Sequence, residues 1–377
     1  MRCRRLAIAR NVAGFEKAND EPSAMQSSPR INLKTLAEHL GLSITTVSRA
    51  LKDGPEVKPE TVARVKQAAA ALGYQPDAGG VYLRTGRTMK ICSVFFAPEV
   101  TDYGDAGFLA QVDGVSRTLE GDNYNLIVLA QTASQSPLDT VRRVFQQRLA
   151  DGVIFSRTMP MDERVRFCLE YKFPFVSFGR TELQTSHAFV DHDDEGGVYD
   201  AVIKLAGEGH RRIALFNPTG GLTYAGLRLR GYQRALAEVG LPWDPSLLVS
   251  ADLSVWASQA ALLALLQRDR GVSAILCANQ LSMFGAMEAA LEHGMDPTRD
   301  GLRIVGFGGM PFRMPFEQGV TYYYQPQRRD GEELARHMLA LLAGSAPESL
   351  QTVLPYQRID DLQRFRLELR EQAAGSV

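Results

Sequence analysis

Hydrophobic and polar positions along this chain follow two different rhythms. Between residues 32 and 73 the apolar residues recur at helical spacing, whereas from Met89 onward they come as short continuous runs separated by longer helical segments. In the first region Leu36, Ala37 and Leu40 share one face of a predicted helix, and Val47, Ala50 and Leu51 form the apolar side of a second. Gly41 permits the sharp turn between them. Asn32 and Ser43 each precede an apolar-periodic run, where a side-chain oxygen can accept from an otherwise unpaired backbone N–H, so both helix starts are marked. A third helix is predicted from Pro59, with Val62, Val65, Ala69 and Leu72 as its stripe and Gly73 as its stop. Lys58 stands where a capping side chain is preferred, so this start is expected to be the weakest of the three.

The second region reads as strands alternating with crossover helices. Its runs are MKICSVFFAP, YNLIVLAQ, ADGVIFSR, FPFVSFGR, HAFVDHD, RRIALFNP, AILCANQ and LRIVGFGG. Parallel strands need long crossovers, and helices of this length supply them. The pattern therefore predicts two doubly wound parallel sheets, a two-lobed α/β core behind a small all-α unit.

The residues left outside the second helix are Ile44, Thr45, Thr46, Ser48 and Arg49. Hydroxyls and a guanidinium suit base edges and phosphates, and an isoleucine suits a thymine methyl, so this is a candidate DNA-reading face. A plain helical hairpin is the alternative reading.

The ordered run Ala37-Glu38, Gly41, Ser43, Thr46-Val47-Ser48-Arg49, Val57, Thr61, Val65, Leu72-Gly73-Tyr74 and Pro76 resembles the DNA-binding unit of the lactose-repressor (LacI/GalR) family of bacterial transcription regulators. The resemblance extends from Leu33 to about Leu369 and implies a helix-turn-helix headpiece joined to a periplasmic-binding-protein-like core. It assigns Ile44, Thr45 and Arg49 to base reading, Ser43, Thr46 and Ser48 to phosphates, and Leu83 to a minor-groove wedge that kinks DNA. The implied division is a disordered extension over 1–30, the headpiece over 31–75, a hinge helix or linker over 76–88, the core over 89–370 and a tail over 371–377. One lobe is expected to take 89–190 with 323–351 and the other 191–321 with 353–370, the chain crossing near residues 190, 322 and 352. Gly79-Gly80 departs from the family's hinge, and each glycine costs about 1 kcal/mol of helix propensity relative to alanine, so a hinge unfolded in the absence of DNA is expected.

For the cleft, the resemblance implies effector contacts at Asp105, Phe108, Arg180, Arg228, Asn279 and Gln325. An aromatic face beside a carboxylate suits a sugar ring, although Asp105 and Phe108 also read as a loop acid and a core residue. Arg180 reads equally as a salt bridge, and Gln325 as a hinge cap. Gly308 stands where the family commonly has aspartate, which favours a larger or differently decorated saccharide over a plain hexose. The implied partners are operator DNA, a small-molecule effector of saccharide type and a second copy of the chain. No cofactor is expected, and no tetramerising leucine heptad follows residue 360.

Composition changes this picture in one respect. The formal charge of −1 over 377 residues hides an asymmetry. Residues 30 to 90 carry ten Lys/Arg against five Asp/Glu, or +5, which leaves −6 elsewhere and concentrates positive charge at the DNA-binding end. Cys3, Cys92, Cys168 and Cys277 have no paired spacing, which points to a reducing cytoplasm rather than a disulfide frame or zinc knuckle. No apolar run reaches the roughly 18 residues of a membrane span, and the first 30 residues lack the pattern of a secretion signal. The acidic run Asp191 to Glu195 with His187 invites a metal reading, but His187 and His192 are expected to face apart, and His210 reads as a structural turn residue. No nucleophile–base pair, GxxxxGK[ST] loop or HExxH helix occurs, so no enzyme is expected. A transport-type sugar receptor shares such a core, but would need export and no DNA-binding unit.

Overall fold

The structure is a computed structural model that describes residues 31–74, 80, 82, 85–97, 106–132, 134–251, 254–295, 302–309 and 320–367. The extension over 1–30, Gly79, Leu83, Asp105 and the tail over 371–377 lie outside the described residues. The chain divides into two compact units, residues 1–81 and 82–377.

The first unit holds α1 (Leu33–Leu40), α2 (Ile44–Ala50) and α3 (Pro59–Ala71). The predicted caps form: Asn32 accepts from the Thr35 N–H at 2.9 Å and Ser43 from the Thr46 N–H at 3.0 Å. Lys58 gives α3 no side-chain cap, and Pro59 occupies the first turn instead. Gly41, at φ +63°, takes the left-handed conformation that ends α1. Leu36, Ala37, Val47, Ala50, Val65 and Ala69 close a core among the three helices. Each fully buried aliphatic side chain there adds about 1.5–3 kcal/mol.

In the second unit the elements are β1 (Lys90–Ala97), α4 (Ala106–Glu120), β2 (Asn125–Thr132), α5 (Pro137–Gln146), β3 (Gly152–Phe155), α6 (Glu163–Glu170), β4 (Phe175–Phe178), β5 (Phe189–His192), α7 (Asp194–Gly207), β6 (Ile213–Pro218), α8 (Thr223–Glu238), β7 (Leu248–Ala251), α9 (Val255–Arg268), β8 (Ala274–Cys277), α10 (Gln280–Glu292), β9 (Arg303–Gly308), β10 (Val320–Tyr324), α11 (Gln327–Leu342), β11 (Gln351–Leu354) and β12 (Gln357–Ile359). Two six-stranded sheets result, ordered β11-β5-β4-β3-β1-β2 and β12-β10-β9-β8-β6-β7. Successive strand residues enter opposite layers: Ile91 packs with α4 and α11, while Cys92 packs with α5 and α6. In the second lobe Ile213 faces α7 and α8, and Ala214 faces α9 and α10. Both sheets are thus covered on two sides, which explains the continuous apolar runs.

Four short strands escape the sequence pattern. β7, β11 and β12 are brief and half-polar, and β10 is the tyrosine run that reads as a crossover cluster; β12 also pairs antiparallel with β10, unlike every other described pairing. The crossings fall at Asp193, at Gln325-Pro326 and at Pro355-Tyr356, each about three residues later than expected. Polar residues mislead here because Asp191 and His192 continue β5 while buried, their side chains matched to Arg180 and Asp330. In the expected hinge stretch the described residues Gly80, Tyr82 and Thr85 are helical. The Tyr82 hydroxyl accepts from Arg148 at 2.7 Å.

Helices α4 and α11 approach until backbone meets backbone. A Cβ on Gly114 would stand 2.0 Å from the Arg328 carbonyl oxygen, and one on Gly331 would stand 2.0 Å from that of Gln111. Gly331→Ala is therefore expected to destabilise the core by about 1–3 kcal/mol through overpacking, lowering the urea midpoint. An unchanged midpoint would show that the two helices can part without cost.

Candidate functional site: a groove-reading helix and an interlobe cleft

On α2 the apolar and polar faces separate cleanly. Val47 and Ala50 are buried, whereas Ile44 is 48% exposed and Thr45 and Arg49 are also exposed; Thr46 and Ser48 are half-buried. An isoleucine exposed at the first turn of a short helix contributes nothing to the core. Its neighbours are already committed: Ser43 and Thr46 share a hydroxyl contact of 2.8 Å, and Arg49 Nε lies 3.1 Å from Glu56. That ion pair is solvent-exposed and so is worth at most about 1 kcal/mol, which leaves the guanidinium easily recruited elsewhere.

The carboxyl ends of the parallel strands in the two lobes face each other across the crossings, which is where open α/β sheets hold ligands. Arg228 of α8 is buried there. It donates to Asp194 at 2.6 Å, to the Ala278 carbonyl at 2.5 Å and to the Tyr356 hydroxyl at 3.1 Å, and it stacks near Tyr224 and Phe307. Burial works against this cation, but Asp194, Tyr356 and Tyr224 outweigh it and hold the group charged. Three of the five guanidinium donors are thus spent within the protein. Arg180 is likewise committed, to Asp191 at 2.5 Å and to the His192 carbonyl at 2.9 Å. Burial, with Asp194 nearby, raises the Asp191 carboxyl against the pull of Arg180.

The remaining cleft residues that the sequence singles out occupy ordinary structural roles as well. Asn279 caps α10 in a reciprocal box, its oxygen accepting from the Ser282 N–H at 2.8 Å. Its amide N–H donors keep no partner among these contacts. Phe108 stacks on Phe95 with centroids 4.1 Å apart. Gln325 ties the second crossing to β9 through its N–H and the Gly308 carbonyl at 2.8 Å. Gly308 leaves room at the end of β9, where a Cβ would meet only the Tyr322 hydroxyl at 3.7 Å.

The acidic run is consumed by pairing rather than gathered for a metal. Asp191 meets Arg180, Asp193 caps α7, Asp194 meets Arg228 and Glu195 meets Arg234 at 2.7 Å. Among the described residues no group of three or more His, Cys, Asp or Glu side chains could hold a metal ion. His187 contacts Ser177 at 3.1 Å, and His210 contacts Ser273 at 3.0 Å. Tyr356 and Asp330 lie outside the residues that the sequence singles out, and Asp194 enters there only as part of the acidic run. Their signal was weak because each owes its place to a crossing whose position the hydrophobic pattern misplaces.

Residues 32–77 match the family described as bacterial regulatory proteins, lacI family, and residues 89–356 match periplasmic binding proteins and sugar binding domain of LacI family. The chain is 32% identical over 323 residues to the HTH-type transcriptional regulator AglR of Rhizobium meliloti (strain 1021), covering 84% of this chain and 90% of that one. It is 30% identical to the HTH-type transcriptional regulator RafR of Escherichia coli, covering 85% and 95%. The solved complex of transcriptional regulator CelR with cellobiose superposes with a TM-score of 0.66 at 25% identity, covering 88% of this chain and 98% of that one.

Two stability measurements check this geometry. Arg228→Ala strands Asp194 in the interior, and loss of one partner of a buried pair should cost about 3–5 kcal/mol in urea unfolding, with Asp194→Asn in the same chain restoring part of it. A cost below about 1 kcal/mol would mean that water reaches the pair. Burial also lowers the pKa of His187, His210 and His337 below the ordinary histidine value of 6.5. A depressed histidine keeps its full contribution above the unfolded value and loses it as pH falls, because the unfolded chain takes up protons first. Unfolding free energy should accordingly decline as pH drops below 6.5, and a flat profile from 7 to 5.5 would contradict the neutral buried state.

Proposed function

Because this chain belongs to the lacI family of bacterial regulatory proteins and is a DNA-binding transcriptional regulator, we propose that it acts as a homodimeric repressor of the cytoplasm, with operator affinity set by a saccharide in the interlobe cleft. The observation that carries the DNA-reading half is the exposure of Ile44, Thr45 and Arg49 on a capped helix whose opposite face is locked into a core. Arg49 is assigned to a base edge, Ile44 to a thymine methyl, and Ser43, Thr46 and Ser48 to phosphates. One helix of this length makes few contacts, so two headpieces reading an approximate palindrome, with half-sites roughly one helical turn apart, supply the affinity. Leu83 is assigned to the central minor-groove step.

The saccharide half rests on the cleft's donors and rings. Arg228 keeps donors beside the Tyr224 ring and Asn279 keeps its amide N–H groups, the hydroxyl partners and apolar face that a sugar ring needs; Phe108 and Gln325 are assigned to the same ligand, and the neighbouring CelR structure holds cellobiose. Ligand binding there shifts the meeting of the lobes and hence the ordering of the hinge on DNA. Coupling of this kind is typically about 1–3 kcal/mol. The regulatory relatives and the lacI-type match over 32–77 favour this reading over a transport receptor or an enzyme. Among the described residues no helix is long and apolar enough to cross a membrane.

Genomic fragments selected on the purified protein provide the operator, and a saccharide panel for release identifies the effector. Arg49→Ala should weaken operator binding at least about tenfold, as loss of a bidentate base contact does, while sugar-induced thermal stabilisation stays as in the parent. Undiminished discrimination between operator and scrambled duplex in that variant would remove Arg49 from the reading face.

A further inference from the structure

A residue outside the cleft set above has the geometry of a ligand contact. Arg157 follows β3 at φ +57°, in the left-handed region that side-chain-bearing residues rarely adopt. The surroundings fix this conformation. Asp162 and Arg164 form a buried pair at 2.7 Å, Arg164 also donates to the Arg157 carbonyl at 3.0 Å, and Asp162 accepts from the Met159 N–H at 3.0 Å. The next residue, Thr158, spans the lobes: its carbonyl accepts from the Thr223 N–H at 2.9 Å and from the Thr223 hydroxyl at 3.1 Å, at the start of α8. Arg157 is thereby held at the lobe-one rim of the cleft, facing α8.

Among the described residues its side chain is arranged but unspent. The guanidinium lies over the Phe96 ring, 4.4 Å from its centroid, and is half-buried. It forms no ion pair among the described residues, in contrast to Arg164, Arg180 and Arg228 around it. Tyr224 of the opposite lobe feels it: burial raises that phenol, and both Arg228 and Arg157 act against the rise. A strained backbone costs stability, and it is not needed to close the loop, since the Asp162–Arg164 pair already does that.

We infer that Arg157 is an effector-contacting residue, whose stacked guanidinium donates in its own plane to adjacent hydroxyls of a neutral saccharide held between Phe96 and Tyr224. This deepens the saccharide reading given above and rests on it. Phe96 occupies the face of the guanidinium and leaves its paired N–H edge for the ligand, while the two aromatic rings offer flat surfaces to sugar C–H groups. At the other pole Gly308 provides no carboxylate, and the Asn279 amide offers donors, so these described positions donate more than they accept. Sugar hydroxyl and glycosidic oxygens fit that balance. Lobe-one and lobe-two contacts lie on opposite sides of the cleft, which suits a ligand of two or more rings.

Arg157→Gly separates binding from folding, because glycine adopts φ +57° without strain. The full-length protein and its Arg157→Gly and Arg157→Lys variants are titrated calorimetrically with cellobiose, maltose, melibiose and raffinose, with glucuronate as a charged arm, and unfolded thermally without sugar. The expected result is that the parent binds at least one neutral sugar, that Arg157→Gly unfolds within about 2 °C of it, and that affinity falls at least about tenfold, with Lys intermediate. Unchanged affinity in Arg157→Gly overturns the inference and leaves the saccharide reading standing. A Gly variant that unfolds far below the parent makes Arg157 a structural residue and also overturns it. Binding of glucuronate alone overturns the neutral ligand, and a parent that binds none of these sugars overturns both the inference and the saccharide reading.

Discussion

The core depends on buried polar pairs that join the three points where its chain changes lobe. Asp194 opens the first helix of lobe two and holds Arg228, which in turn reaches Tyr356 on the third crossing; Tyr356 also donates to Asp194 at 2.8 Å. One residue pair earlier, His192 meets Asp330 at 3.0 Å, linking the end of β5 to the helix that follows the second crossing. All of these side chains except Tyr356 are nearly inaccessible to water. Polar groups so placed stabilise the fold only when paired, since each one alone would be costly to bury. The same matching fixes how many donors remain for a ligand, so the lobe crossings and the proposed binding site share one set of atoms.

Sharing of that kind explains why Arg228 resists a simple label. The family resemblance makes it a ligand contact, and the geometry makes it the keystone of a buried cluster. Both descriptions are compatible, because a guanidinium with two N–H groups left over can be positioned by the protein and still donate outward. A ligand that draws on those donors acts directly on the contact between two crossings.

How much the sequence revealed varies with the cause of each feature. Local rules sufficed for the helical unit: Asn32 and Ser43 cap as their chemistry demands, Gly41 turns, and Lys58 fails to cap. Long apolar runs sufficed for the central strands, since both faces of each sheet are covered. Legibility ended where tertiary pairing overrides local character. Asp191 and His192 look like loop residues and are buried strand, because Arg180 and Asp330 lie opposite them. Asn279 looks like a free amide at a strand end and is half used as a cap. Arg157 gives no local sign at all, since a positive φ on an arginine is imposed by a loop that only the folded core assembles.

The contact between α4 and α11 carries one further implication. Where Gly114 and Gly331 bring two main chains together, there are no side-chain rotamers between them to absorb a displacement. Because α11 begins directly after the second crossing, a displacement there meets α4 through main-chain contact rather than through adjustable side chains.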